Sequence, residues 1–422
     1  MSSSFLATTA LDEFWNKDAD RILFLGTWCL RFDSRHRWKT LRYEVLPSPW
    51  NDRRRFYEAA AYVDELGERL LPPLARYLNS VHGEQRSDRY WRILVGVWLM
   101  HAVHAAYDRY VLLSEAIGST EVNTIGLDRS DYRVPTTTVD HHAALKNDLY
   151  NLQLFTQILE AKGYEFPRRK ASSPPPPHAL YRRSPLKRVV VSSVEGLARL
   201  GERLLEKPGR IAFYSSYGSW SAELRILLQS GFGVIPMHPP AVEIEREPVF
   251  DSRRLGLADL PASSPFERIL VSLLPQLFPT IFLEGYRELV SSCAAPSVGG
   301  VASVSGWYFE EHVKCRAAIL ADRGAKIFAL QHGGGYGIYR VAPAERYEKR
   351  LCDRFLVWGW AADDPKVRNA PGGRLSEIAK HQITTASASR NRSVLFVPTA
   401  HPRYLYRFHS SPVGSQWTEY FD

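Results

Sequence analysis

The chain has 422 residues, 45% hydrophobic and 23% charged, with a formal net charge of +9 at pH 7. That balance excludes disordered and fibrous classes and leaves room for two domains with separate cores. The positive charge favours acidic partners, whether nucleic acid, anionic lipid headgroups or phosphorylated small molecules, without choosing among them.

The longest apolar stretch, Ile93 to Ala106, is interrupted by His101 and His104. It falls short of the roughly 20 residues a spanning helix requires, so no membrane span is expected. Met1 to Phe5 lacks a basic region followed by a long apolar core, and a cytosolic protein is expected. Cys29, Cys293, Cys315 and Cys352 are scattered, without a CxxC pair or a histidine at metal spacing. They read as buried thiols in a reduced compartment, with neither a metal site nor a disulfide framework.

In chain order, Arg21 to Trp28 reads as a buried first strand ending in a turn. Arg53 to Asn79 carries helical apolar spacing through Phe56, Ala60, Val63, Leu66, Leu70, Leu74 and Leu78, and Tyr90 to Leu113 reads as a second long helix. Residues 117–140 read as loop, and His141 to Lys162 as one amphipathic helix. Pro174 to Pro177, flanked by Arg168, Arg169, Lys170, Arg182 and Arg183, predicts a stiff basic loop or linker. Strands then alternate with helices: strand Arg210 to Ser215, helix Ser221 to Gln229, strand Gly233 to Pro236, helix Pro265 to Leu274, strand Ala302 to Ser305, helix Phe309 to Arg323 and strand Lys326 to Leu330. Such alternation argues for a parallel sheet covered on both faces.

Arg354 to Trp360 and Ser393 to Pro398 are further strands. The organisation expected is an α/β domain over residues 1–345, with a helical insertion at about 52–165 and a Pro-rich loop at about 168–185, followed by the start of a second α/β domain at 346–422. A complete α/β domain usually needs about 100 residues, so this second one reads as unfinished.

The chemistry is placed at Gln331-His332-Gly333-Gly334-Gly335-Tyr336-Gly337, directly after the strand Lys326 to Leu330. A strand running into a glycine-rich turn lets backbone N–H groups converge on an anion, and a histidine adds a donor or a proton. In parallel sheets ligands sit at the carboxyl ends of strands, where this turn falls. A sharp connection alone would also use glycine, but a histidine with four glycines in seven residues favours a ligand role.

Phe5 to Leu11, Phe24 to Cys29, Leu46 to Arg53, Arg89 to Ile93 with Tyr107 to Tyr110, and Gln331 to Gly337 resemble a family of transferases encoded in bacterial surface-carbohydrate loci and first named from spirochaetes. More distantly, strand-Gln-His-Gly followed by Phe355 to Gly359 is similar to capsule-synthesis glycosyltransferases, including those that use a CMP-activated ulosonic acid. The resemblance implies a GT-B-like architecture of Rossmann-type domains with the donor nucleotide in the cleft. Members of the family are longer than this chain, which agrees with an unfinished second domain.

That analogy suits the residues. A sugar nucleotide's leaving group is an anionic phosphate, and preplaced donors can stabilise it without a metal. His332 and the amides of Gly333, Gly334 and Gly335, with Gln331, are the expected donors; Arg403, Tyr404 and Arg407 are expected to reach the phosphate from the other wall, Arg being favoured for bidentate geometry. An inverting transfer requires a carboxylate base, for which Glu310, Glu311 and Asp52 are candidates, although a cap or solvated helix face is the commoner role for such residues.

The cluster Arg89-Tyr90-Trp91-Arg92 with Tyr107-Asp108-Arg109-Tyr110 reads as core aromatics around a buried Arg–Asp pair, and His141 and His142 read as solvated. Three functions follow. The first is transfer of a sugar from a nucleotide-activated, CMP-linked donor to a glycan or lipid-linked glycan acceptor, with the nucleotide sugar as substrate and no separate cofactor. The second is alditol-phosphate transfer from a CDP-linked donor. The third is polyanion binding without catalysis, which the lack of any recognisable nucleic-acid module disfavours. An acceptor at the membrane would suit peripheral association with the inner membrane through the basic Pro-rich stretch.

Overall fold

The computed structural model describes residues 4–119, 122–173, 207–238, 250–293, 297–360, 363–382 and 401–416. Two separate parallel sheets organise it. The first has four strands in the order β3-β2-β1-β4: β1 (Ser4–Ala7), β2 (Ile22–Phe24), β3 (Tyr43–Val45) and β4 (Val122–Asn123). All its pairings are parallel, with Leu6 opposite Leu23 and Leu23 opposite Glu44. Both faces of β1 and β2 are covered, so their residues are buried without alternation. The first strand expected at Arg21 is thus preceded by another, too short to be separated from a turn by its pattern.

Between β3 and β4 run two long helices, α1 (Arg53–His82) and α2 (Asp88–Ser119). Asp52 caps α1, its Oδ1 accepting from the N–H of Arg54 at 2.8 Å and of Arg55 at 3.2 Å, and Gly83 ends it with φ +68°. The α1 face carrying Phe56, Val63, Leu70 and Leu74 packs on α2. Apolar nearly all round, α2 is covered on its other sides as well. Trp98, fully buried on it, donates from Nε1 to the Leu277 carbonyl at 2.8 Å; Trp98→Ala would remove that bond and leave a cavity costing about 3–5 kcal/mol.

After β4 the stretch expected to be loop contains β5 (Gly126–Leu127), which pairs in parallel with β6 (Arg168–Arg169). The single helix expected from His141 is two, α3 (Thr138–Ala144) and α4 (Asp148–Ala161). Asn147 breaks it by accepting from Leu149 N–H at 2.9 Å and Tyr150 N–H at 3.3 Å, a local bond that competes with helix continuation. The Pro-rich residues 174–177 lie outside the described residues.

The second sheet uses β7 (Ile211–Tyr214), α5 (Trp220–Gln229), β8 (Val234–Met237), α6 (Pro265–Leu277), α7 (Tyr286–Ser292), β9 (Gly300–Ser303), α8 (Gly306–Phe309), α9 (Glu311–Asp322), β10 (Lys326–Leu330), α10 (Pro343–Leu351), β11 (Arg354–Val357) and β12 (Val367–Asn369). Its six strands run parallel in the order β12-β11-β10-β9-β7-β8. The winding reverses between β7 and β9, which opens a crevice at their carboxyl ends.

This topology corrects the expected division at 345/346. Phe328 of β10 sits opposite Arg354 of β11, so Arg354 extends the existing sheet rather than opening another. The division between sheets falls earlier, between β4 and β7; α1 and α2 fall between β3 and β4 of the first sheet, and α3 and α4 between β4 and β7. The strand expected at 393–398 lies outside the described residues. Residues 401–416 cross from one sheet to the other. Ser415 N–H donates to Asn51 at 2.9 Å, Phe408 N–H to His104 Nδ1 at 3.0 Å, and Ser410 N–H to the Val341 carbonyl at 2.9 Å.

Candidate functional site

At the end of β10, Gln331 locks the following turn to β11. Its N–H donates to the Leu356 carbonyl at 2.8 Å, and its Oε1 accepts from Trp358 N–H at 2.9 Å and Trp360 Nε1 at 2.8 Å. Its Nε2 donates to the Gly333 carbonyl at 2.7 Å. With its side chain used this way and buried, Gln331 braces the turn; the expected direct ligand contact is replaced by support. Gly337 has φ +72°, and a Cβ there would lie 2.6 Å from the Trp360 ring, so the turn's exit requires glycine. The N–H groups of Gly333, Gly334 and Gly335 donate to no acceptor among the described residues. Gly333 and Gly335 border the cavity described next; Gly334 is exposed and off its lining.

That cavity, about 420 Å³, lies over the carboxyl ends of β7, β9 and β10 and falls within the range of small-molecule sites. It brings together His332, Glu310 and Arg407, from three different parts of the chain. His332 Nε2 lies 3.2 Å from Glu348 Oε1 and 2.6 Å from the Tyr336 hydroxyl, with the Tyr308 ring edge-on at 5.4 Å. Nδ1 has no partner among the described residues. Glu348, on α10, is fully buried; burial pushes its carboxyl pKa up, and His332 with the Tyr336 and Tyr308 hydroxyls pulls the other way. Both phenols are themselves pushed up by burial and serve as neutral groups. A carboxylate behind one ring nitrogen fixes the orientation of the imidazole, leaving Nδ1 to face the cavity.

Glu310 is exposed at the junction of α8 and α9 and accepts a hydrogen bond from Ser215 Oγ. Ser215 and Tyr217, just past β7, have φ +49° and +58°, a conformation that non-glycine residues hold at a cost of about 1–3 kcal/mol. This bend brings Tyr217 to the cavity wall at the switch point. Arg407 is half-buried; its guanidinium has no ion pair or hydrogen bond among the described residues, and its Nε is buried without a partner.

The other candidates fall elsewhere. Glu311 is buried, accepts from Thr138 N–H at 2.8 Å and pairs with Lys314 Nζ at 2.6 Å, which makes it a structural ion. Asp52 caps α1. Arg403 and Tyr404 point away from the cavity: Arg403 donates to Asp148 at 2.5 Å and to the Trp28 carbonyl at 2.7 Å, and the Tyr404 hydroxyl donates to Asp148 at 2.5 Å. They clamp the 401–416 segment to α4 and line a different, 260 Å³ pocket over the first sheet. The Asp108–Arg109 pair is buried at 2.6 Å, as read. His141, read as solvated, is fully buried, and His142 lines the His332 cavity. All four cysteines are free and buried.

Sequence reasoning did not find Glu348, Tyr308, His101 or His409. Tyr336 stood in the motif but carried no assigned role. Among the described residues, no group of three or more His, Cys, Asp or Glu side chains could hold a metal, and no helix is long and apolar enough to cross a membrane.

The fold defines a Rossmann-type α/β protein, with a cavity of small-molecule size at its topological switch point. The chain belongs to the LIC12162 family of transferases, whose profile matches residues 4–422. It is a transferase. No curated protein and no solved structure matches it.

Proposed function

We propose that this transferase moves a sugar from a nucleotide-activated donor to a glycan hydroxyl in surface-polysaccharide synthesis, on a GT-B-like pair of sheets. The observation that carries the reading is His332 held by buried Glu348 beside a turn of unbonded amides, with the unpaired Arg407 guanidinium in the same cavity. The donor's phosphate lies against the turn, where the Gly333 and Gly335 amides and His332 Nδ1–H face its oxygens. Glu310 takes the proton of the acceptor hydroxyl. As that oxygen bonds to the anomeric carbon, the carbon–oxygen bond to phosphate breaks and its electron pair leaves with the nucleotide. The growing phosphate charge meets donors already in place, which lowers the barrier without reorganisation.

The carboxylate behind His332 favours a second reading, since it is also the arrangement of a general base. His332 would then deprotonate an acceptor hydroxyl that attacks phosphorus of a CDP-linked alditol, releasing CMP and leaving a phosphodiester. Binding of CMP, CDP, UDP and GDP to wild type and His332→Ala tests the shared site. A base-selective affinity lost in the variant supports it; affinity equal in both refutes it. Product analysis then separates a glycoside from a phosphodiester.

A further inference from the structure

The same cavity has a wall that the His332 chemistry does not use. His101 on α2 is 1% exposed and neither of its ring nitrogens has a hydrogen-bond partner; His142 on α3 has a buried, unpartnered Nδ1. Their rings lie 5.0 Å apart, with the Tyr406 ring edge-on to both at 5.4 and 4.7 Å and Phe309 against His142 at 4.9 Å. Arg407 stands over the Tyr406 ring at 5.3 Å, and Lys146 Nζ is 5.6 Å from it.

Buried polar nitrogens are almost always met, so two unmet imidazoles and an unmet guanidinium on one wall mark a missing partner. The groups packed around them are basic: His141 and His104 behind, Lys146 after α3, and His409 on the crossing segment. The carboxylates of the cavity are already engaged, Glu345 with Lys349 at 2.7 Å and Gly337 N–H at 2.9 Å, Glu310 with Ser215. Burial first, and this surplus of positive charge second, holds His101 well below its ordinary pKa and His142 down to about 3. Both are neutral until an anion arrives. The charge of Arg407 also reaches Tyr308 and Tyr336 beside His332, so it lies between the two clusters.

We infer that His101, His142 and Arg407 form a second anion subsite of this cavity, which receives a carboxylate or phosphate carried by the donor in addition to its leaving phosphate. The inference rests on the reading of the cavity as a nucleotide-sugar site, and it narrows the donor to one with two separated anionic groups. An arriving anion offsets the burial penalty on imidazolium, so binding takes up a proton from solvent.

The test uses the whole chain with histidine labelled by ¹⁵N and follows the His101 and His142 ring nitrogens at pH 7 during titration with inorganic phosphate. The expected result is conversion of at least one ring from neutral to protonated. Arg407→Gln should weaken phosphate about tenfold or more and Arg407→Lys by less. Rings that stay neutral at saturating phosphate overturn the subsite. Binding of CMP, CDP and CMP-linked N-acetylneuraminic acid to wild type and Arg407→Gln identifies the source. A penalty with CDP but not CMP assigns a second phosphate, and a penalty confined to the acidic sugar nucleotide assigns its carboxylate. A penalty equal for all three places Arg407 on the leaving phosphate and overturns the subsite. Loss of CMP binding in His332→Ala alongside unmoved His101 and His142 leaves the transferase site standing and removes only this inference. Protonated rings with nucleotide affinity indifferent to His332 do the reverse.

Discussion

Glu348→Gln separates the role of the buried carboxylate in function from its role in stability, because the two effects carry opposite signs. At 3.2 Å from Nε2, an ionised Glu348 attracts an imidazolium at His332 by about 5 kcal/mol at an effective dielectric constant of about 20, before desolvation is subtracted. A charge-assisted hydrogen bond typically retains about 1.5–3 kcal/mol of such an attraction, so nucleotide affinity should fall on the order of 30-fold. Stability should move the other way. The Glu348 pKa is raised in the folded protein, so its contribution is full below the ordinary carboxylate value near 4.5 and is lost as pH rises through the folded value. At neutral pH the native state therefore bears a desolvation penalty that an amide of equal shape lacks. The assay is calorimetric titration with CMP and CDP alongside urea unfolding at pH 7.5. Unchanged affinity, or a loss of stability above about 3 kcal/mol of the kind seen when a buried ion pair is broken, would refute the reasoning.

Glu310→Gln should lower turnover by 10²-fold or more, on the order expected for loss of a general base, while leaving the unfolding midpoint in place. Glu311→Gln should instead unfold more easily by about 3–5 kcal/mol, since Lys314 would be left buried and unpaired, with denaturant titration as the readout. Gly337→Ala should destabilise by 1 kcal/mol or more through its φ of +72° and the Trp360 ring, whereas Gly334→Ala, with no neighbour within 4 Å, should stay within about 0.5 kcal/mol; thermal unfolding compares them. Burial holds His82 down to about 4 and His104, His141 and His142 down to about 3. Above pH 6.5 these rings are neutral in both states; below it the unfolded chain gains protons that the native one refuses. Stability should therefore fall between pH 6.5 and about 3, by roughly 1.4 kcal/mol per histidine already at pH 5.5, as urea unfolding across pH would show.

The turn was legible because its two signals are local: an apolar strand and glycines next in sequence. Arg407 and Arg403 show where local signals stop. They are four residues apart in an irregular segment of similar composition, yet Arg403 is bonded to Asp148 on α4 while Arg407 borders both the cavity and the pocket over the first sheet, a difference set by contacts distant in sequence. Glu348 lies on a helix whose sequence, Pro-Ala-Glu-Arg-Tyr-Glu-Lys-Arg-Leu, is that of a solvated element. Its burial is set by α2 and β10 packing on α10, contacts distant in sequence. The early division of the chain failed for a related reason. A strand's periodicity marks it as a strand, while the sheet it joins is chosen by partners far along the chain, and the 401–416 segment behaves in the same way.

The clamp of Tyr404 and Arg403 on Asp148 has a thermodynamic corollary. Three residues further along the same backbone, Arg407 lines the His332 cavity, so a ligand that drew Arg407 inward would load the clamp. Work of this kind is reciprocal: whatever free energy ligand binding adds to or removes from the Asp148 contacts, a substitution at Asp148 returns as a change in ligand affinity of the same size. Position 148, outside the lining of the His332 cavity, would then act as a control point for it, the carboxylate that fastens the strap setting how readily the cavity fills.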